Sequence, residues 1–152
     1  MLLKKIKFNH QSIDLKESCQ KVKLHATPSR HLQIIAKVNG VKGYFILDTG
    51  ASDSCIDIKK SEKYGLSLKK SKEKAIGAGQ DIIEAFTSGK NTIRIGKKTI
   101  KNKTIILLEL SHINNALSAL GCKTIDGIIG ADVLFQIQAM IDYNSKYLFF
   151  KT

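Results

Sequence analysis

The chain has 152 residues, 43% hydrophobic and 25% charged, an ordinary globular balance that excludes a disordered or fibrous protein and leaves room for one domain with a real core. No apolar run approaches the ~18–20 residues of a membrane span, and the opening Met1-Leu2-Leu3-Lys4-Lys5-Ile6-Lys7 has no apolar stretch of signal-peptide length, so a cytoplasmic protein is expected. The formal net charge of +12 comes from 23 Lys and only 2 Arg; because Arg is the residue of bidentate phosphate and base contacts, the scattered lysines read as a solvated surface that favours acidic partners and argue against a nucleic-acid role.

Residues 1–30 carry the weakest pattern. Short strands are expected near Leu3–Phe8 and Val22–His25, and Pro28, the only proline, marks a break. We therefore set 1–30 apart as an N-terminal extension from a domain over 31–152. From there the chain is rich in Ile and Val, in short runs punctuated by Gly and Asn, which is the pattern of an all-β domain.

Leu32–Val38 and Val41–Leu47 flank Asn39-Gly40, a pair that accepts positive φ at both turn positions and so predicts a tight hairpin. Tyr44-Phe45-Ile46-Leu47 does not alternate, so that strand is expected to be buried on both faces. It runs straight into Asp48-Thr49-Gly50, a polar turn at the end of a buried strand. A second hairpin is expected from Lys74–Ile76 and Ile82–Phe86 around Gly77-Ala78-Gly79-Gln80. Thr92-Ile93-Arg94-Ile95 alternates as a half-buried strand does. Gly96-Lys97-Lys98 then turns the chain into a strand pair between Thr99 and Leu110. A short helix is expected over His112–Leu120, a very short buried strand at Ile128-Ile129, and a second short helix over Ala131–Ile137. Asp132 falls in the first turn of that helix, where a carboxylate suits the helix dipole. A last hairpin, Ala139–Tyr143 with Lys146–Phe150, turns at Asn144-Ser145.

Most enzyme signatures fail. Gly77-Ala78-Gly79 begins a G-x-G-x-x-G but has Ile82 in the third place, and Gly96-Lys97-Lys98-Thr99 lacks the spaced glycine of a phosphate loop. There is no H-E-x-x-H and no G-x-S-x-G, and the four histidines are unclustered. Cys19, Cys55 and Cys122 form neither a disulfide framework nor a metal pair, as in a reducing compartment. No cofactor and no metal is expected.

One constellation remains: Phe45-Ile46-Leu47-Asp48-Thr49-Gly50-Ala51-Ser52, followed much later by Ile128-Ile129-Gly130-Ala131-Asp132 and the closing Ile141-Asp142-Tyr143 hairpin. Over about residues 30–150 it strongly resembles the retropepsin-like aspartic proteases, the single-lobe relatives of pepsin. The resemblance implies a closed β-barrel lobe with one or two short helices, and an aspartic endopeptidase in which Asp48 is the catalytic carboxylate. It gives Thr49, Gly50, Ala51, Ile129 and Gly130 to support of the catalytic loop. Ser52 and Asp53 fall at substrate-backbone positions, and Ile76, Gly77, Ala78 and Gly79 in a flap that closes over an extended peptide. Ala51 stands where pepsin-type lobes carry a hydroxyl; losing that donor removes a stabiliser of the ionised acid, so a working pH nearer neutral than the gastric type is expected.

Peptide hydrolysis of this kind needs two carboxylates sharing one proton. The chain has a single Asp-Thr-Gly, and the resemblance puts neither Asp126 nor Asp132 at the catalytic position. Two chains related by a two-fold axis would bring Asp48 to face its own copy, so a homodimer acting on an extended peptide or protein substrate is expected. A peptide-binding module of the same fold without turnover, and more remotely a basic nucleic-acid-associated protein, are the alternatives.

Overall fold

The computed structural model describes residues 19–71 and 84–151, with the backbone of 7–8, 11–12, 75–76 and 82–83. In chain order the strands are β1 (Lys7–Phe8), β2 (Gln11–Ser12), β3 (Cys19–Lys23), β4 (His25–Ala26), β5 (Leu32–Val38), β6 (Val41–Leu47) and β7 (Cys55–Asp57). A single 3-10 turn, Ile58–Lys60, precedes β8 (Lys69–Lys70), β9 (Ala75–Ile76), β10 (Ile82–Ile83), β11 (Phe86–Ile95) and β12 (Lys98–Leu108). Helix α1 (Ser111–Ala119), β13 (Gly127–Ile129), α2 (Ala131–Gln136), β14 (Met140–Asp142) and β15 (Tyr147–Lys151) complete the chain.

Six strands close a barrel in the order β5-β6-β13-β7-β12-β11, with β11 returning to β5 through Ile93 opposite Val38 and Arg94 opposite Lys37. The seam is stitched by Asn39. It occupies the tight turn after β5 with φ +48, followed by Gly40 at φ +84, the positive pair that the Asn-Gly dipeptide supplies. Its amide nitrogen donates to the Tyr64 carbonyl and to Asn91, while its side-chain oxygen accepts from the Thr92 amide. Two contacts in the barrel are parallel, β13 with β6 and β12 with β7.

β6 is the strand buried on both faces. Phe45 and Leu47 enter the main core with Ile34, Ile93, Ile105, Leu107, Ile129 and others. Ile46 faces a second cluster of Leu117, Cys122 and Ile125, so that α1 covers the outside of the barrel wall. Each such burial stabilises by about 1.5–3 kcal/mol. Tyr44 departs from the expectation: it lies exposed, because it precedes the part of β6 that β13 pairs with.

The sequence predicts a strand pair between Thr99 and Leu110, and the structure corrects this to one long strand. β12 runs unbroken from Lys98 to Leu108 and absorbs its polar centre in a bulge, with Asn102 at φ +54. β11 is likewise longer than its alternating end, since Ser88 and Asn91 are buried and mutually bonded within it.

Of residues 1–30, β3 pairs with β15, β4 pairs with β5, and Leu24 is wholly buried in the main core. β15 therefore has neighbours on both sides, β14 and β3. The last hairpin turns where expected. The Asp142 carboxylate accepts from the Asn144 and Ser145 amides and the Ser145 hydroxyl, and these donors hold its carboxyl below the usual carboxylate range.

Candidate active site

β6 delivers Asp48 to the surface. Leu47, the last residue of the strand, pairs in parallel with Ile129, and the Asp48 amide donates to the Ile129 carbonyl at 3.0 Å. The chain then leaves the barrel, and Asp48, Thr49 and Gly50 are all exposed. The Gly50 amide folds back and donates to Oδ1 of Asp48 at 2.9 Å. Among the described residues no other donor reaches this carboxylate. An acid at the end of a rigid strand, oriented by one backbone N–H and open on the other side, is suited to proton transfer.

The loop is held from below by the turn between β13 and α2. The Ala131 amide donates to the Ala51 carbonyl at 2.8 Å and the Asp132 amide to the Ser52 carbonyl at 3.1 Å. Gly130 is required here: a Cβ would stand 2.8 Å from the Ala51 carbonyl oxygen and 2.8 Å from the Asp53 carbonyl carbon. Ser54 closes the loop. Its amide and hydroxyl both donate to Oδ1 of Asp132, at 2.9 and 2.6 Å, and its hydroxyl oxygen accepts from the Gly130 amide at 2.9 Å. The other Asp132 oxygen is ion-paired with Lys103 at 2.6 Å.

The sequence places Asp132 at a helix start, and it does sit in the first turn of α2, but its carboxylate serves the loop of Asp48. Ser54 and Lys103 are missed by sequence reasoning. Ser54 left a signal, a hydroxyl between the loop and the buried Cys55-Ile56-Asp57; Lys103, an isolated lysine in a polar stretch, left none.

Other aspartates are engaged elsewhere. Asp126 is buried, accepts from the Tyr44 amide and pairs with Lys63 at 2.9 Å. Burial, with the Asp126 charge beside it, pushes the neighbouring Tyr64 phenol up. Asp57 is buried and accepts from the Lys59 amide and from Asn114. Asp53 and Ser52 are exposed on the loop, where the Ser52 hydroxyl donates to the Asp53 carboxylate at 2.9 Å. Behind them Cys55 is buried, and desolvation pushes its thiol up to about 12, which leaves it inert as a nucleophile.

Of the expected flap, Ile76 pairs with Ile82 across β9 and β10 in an antiparallel register. Gly77, Ala78, Gly79 and Gln80 lie outside the described residues. Among the described residues, no group of three His, Cys, Asp or Glu side chains is placed to hold a metal ion, and no helix is long and apolar enough to cross a membrane.

Thr49 opens onto an apolar groove of about 380 Å³, lined also by Leu134 and Phe135 of α2 and by Ile141 and Tyr143 around β14. Phe135 is 81% exposed and Tyr143 68%, the two most exposed large hydrophobic side chains among the described residues.

No curated protein sequence matches the chain. Solved structures do. A retropepsin-like aspartic protease from Rickettsia conorii is 24% identical, with a TM-score of 0.57 over 87% of this chain and 91% of that one. EIAV protease, solved in complex with the inhibitor HBY-793, is 19% identical, with a TM-score of 0.55 over 72% of this chain and 90% of that one. The retroviral protease-like domain of Ddi1 from Leishmania major is 19% identical, with a TM-score of 0.51 over 75% and 82%. At these identities the likeness establishes the fold. The aspartyl protease family model matches residues 34–133, which contain the Asp48 loop, the barrel from within β5 to β13 and the Gly130 turn beneath the loop; the chain belongs to the aspartyl protease family, with a retropepsin-like fold.

Proposed function

We propose that the protein is an aspartic endopeptidase that works as a homodimer, with Asp48 of each copy meeting across a two-fold axis. The observation that carries the reading is the state of the carboxylates. Asp48 is exposed and oriented by a single backbone donor, while Asp57, Asp126 and Asp132 are tied to amides, hydroxyls or lysines within the lobe. Asp53, the other exposed acid of the loop, accepts from the Ser52 hydroxyl and lies outside the Asp-Thr-Gly motif, so the single motif of the lobe supplies one acid for a reaction that needs two.

Two facing Asp48 carboxylates hold one proton between them, because both cannot ionise at such close range. The ionised one takes a proton from a water molecule as its oxygen attacks the peptide carbonyl. The protonated one gives its proton to the carbonyl oxygen. Collapse of the tetrahedral diol breaks the C–N bond as the proton taken from water passes to the amine, and one diol hydroxyl returns its proton to the carboxylate that had given one, which restores the shared proton. Gly50 N–H holds each carboxylate in place, and Thr49 sits where one loop meets the other. Ala51, Ile129 and Gly130 support the loop from behind. Ser52 and Asp53 are exposed beside Asp48, in position to bind the backbone of an extended substrate. Ile76 and the Gly77-Ala78-Gly79 segment would close over it as a flap.

The groove beside Thr49, with Phe135 and Tyr143 at its rim, favours a second copy on this face, since exposed aromatic side chains are the usual anchors of an interface. β15 is paired on both sides, which leaves β14 and β3 as the two edges of this sheet among the described residues. The three free cysteines fit a cytoplasmic site of action.

The test compares wild type with Asp48→Asn on a peptide library, with and without a pepstatin-type inhibitor. Cleavage by wild type that the inhibitor blocks and the variant lacks is expected. Cleavage retained by Asp48→Asn refutes the assignment, and binding of extended peptides without turnover by wild type would make the protein a binding module.

A further inference from the structure

We infer that Lys103, remote in sequence from the Asp48 loop, is a positioning residue for that loop, acting through Asp132 and Ser54. The catalytic part of this inference rests on the peptidase reading above. Lys103 lies in β12 opposite Asn91 of β11, inside the polar run Lys101-Asn102-Lys103. Its side chain is only 18% exposed, and Asp132, whose Oδ2 it meets at 2.6 Å, is 17% exposed. Lysine is seldom so covered without a task for its charge.

The link continues in one direction. Oδ1 of Asp132 accepts both donors of Ser54, and the Ser54 hydroxyl oxygen accepts the Gly130 amide. Both carboxylate oxygens are therefore committed, one to Lys103 and one to Ser54. Removing the ammonium strands a covered charge, which is costlier than losing an exposed pair. The carboxylate then turns toward water and draws Oδ1 away from Ser54. Two further ties of the loop, Ala131 N–H to the Ala51 carbonyl and Asp132 N–H to the Ser52 carbonyl, come from the same first turn of α2. Asp48 itself is also tied to β13, but the Ala51–Ser54 half of the loop is bound through these α2 contacts, so slack at Asp132 reaches Asp48 through the Ala51 amide, which donates to the Asp48 carbonyl. A displacement of about 1 Å at a reacting group costs on the order of 100-fold in rate, and a partial loosening costs a fraction of that.

The test uses the full chain carrying Lys103→Met, which keeps the stem and removes the charge, and Lys103→Arg, which restores it. Amide hydrogen exchange at Ser54 and Gly130 is expected to quicken about tenfold or more in Lys103→Met, with Ile34 and Ile95 in the barrel core unchanged. In peptide cleavage, kcat per inhibitor-titrated site is expected to fall about tenfold with KM within about twofold, and Lys103→Arg to recover most of it. If Lys103→Met does not fold, Asp132→Asn breaks the same ion pair while keeping an acceptor for Ser54, and the same local exchange pattern is expected. Exchange that rises evenly across the barrel, or kcat unchanged in a folded Lys103→Met, overturns the inference and leaves the peptidase reading standing. A wild type that cleaves nothing, with the local exchange pattern intact, removes the peptidase reading and leaves the mechanical link.

Discussion

Gly130→Ala puts the packing beneath the Asp48 loop to a direct trial. The added methyl would lie 2.8 Å from the Ala51 carbonyl oxygen, 2.8 Å from the Asp53 carbonyl carbon and 2.9 Å from its oxygen. Carbon contacts are comfortable at about 3.5–4.0 Å, so the loop must retreat by roughly 0.5–1 Å. All three obstacles are backbone, so no side chain can swing aside. Gly130 itself is at φ −95, a conformation alanine adopts freely, so the penalty is one of contact alone. Overpacking of this kind costs about 1–3 kcal/mol. Because the loop is open to solvent on its far side, it yields before the barrel does, and the stability loss should fall toward the lower end of that range. Activity should suffer more, by about 100-fold at matched folded protein, since Asp48 moves with the loop. Urea unfolding followed by intrinsic fluorescence and peptide cleavage at matched folded concentration read the two effects. Gly89→Ala, where a Cβ meets nothing within 4 Å, is the control and should stay within about 0.5 kcal/mol of wild type. A Gly130→Ala protein as stable and as active as that control would refute the packing argument.

Phe135→Asp should weaken self-association at least tenfold while leaving the melting temperature of the lobe nearly unchanged, because the ring is exposed in the single chain. Sedimentation equilibrium checks this, and an unchanged dissociation constant would move the interface elsewhere. Burial raises the Cys55 thiol from its ordinary 9.0 to about 12, so between those values the unfolded chain has lost a proton that the folded chain keeps. Folding stability therefore falls as pH rises above 9, by up to about 1.4 kcal/mol per pH unit from this group. Cys55→Ala should show a shallower decline than wild type between pH 9 and about 10.5, and parallel declines would contradict the assignment.

Much of the molecule is legible from local sequence where a short-range rule fixes the outcome. Asn39-Gly40 encodes its turn in two residues, and the last hairpin follows from Asp142 two and three residues before its amide donors. The doubly buried Phe45–Leu47 stretch announces a strand with two cores against it. The segment after the loop was not legible for the opposite reason. β7 is three residues long and exists because β12 and β13 flank it, so its definition lies about 50 and 70 residues away in the chain. The length of β12 was hidden by the same effect, since Lys101-Asn102-Lys103 has the composition of a turn and is drawn into a strand by β11. The candidate site divides in the same way. Asp48, Gly50 and Gly130 carry contiguous motifs, whereas Lys103 acts through one ion pair with Asp132 that no local pattern foretells.

The account depends on half of the catalytic centre coming from each of two chains. Mixing wild type with Asp48→Asn at constant total protein, after exchange of subunits, measures this directly. With equal amounts of the two, a shared centre leaves about a quarter of the wild-type rate, because only pairs of intact copies can react. A rate of about half, falling in proportion to the wild-type fraction, would mean that each chain works alone.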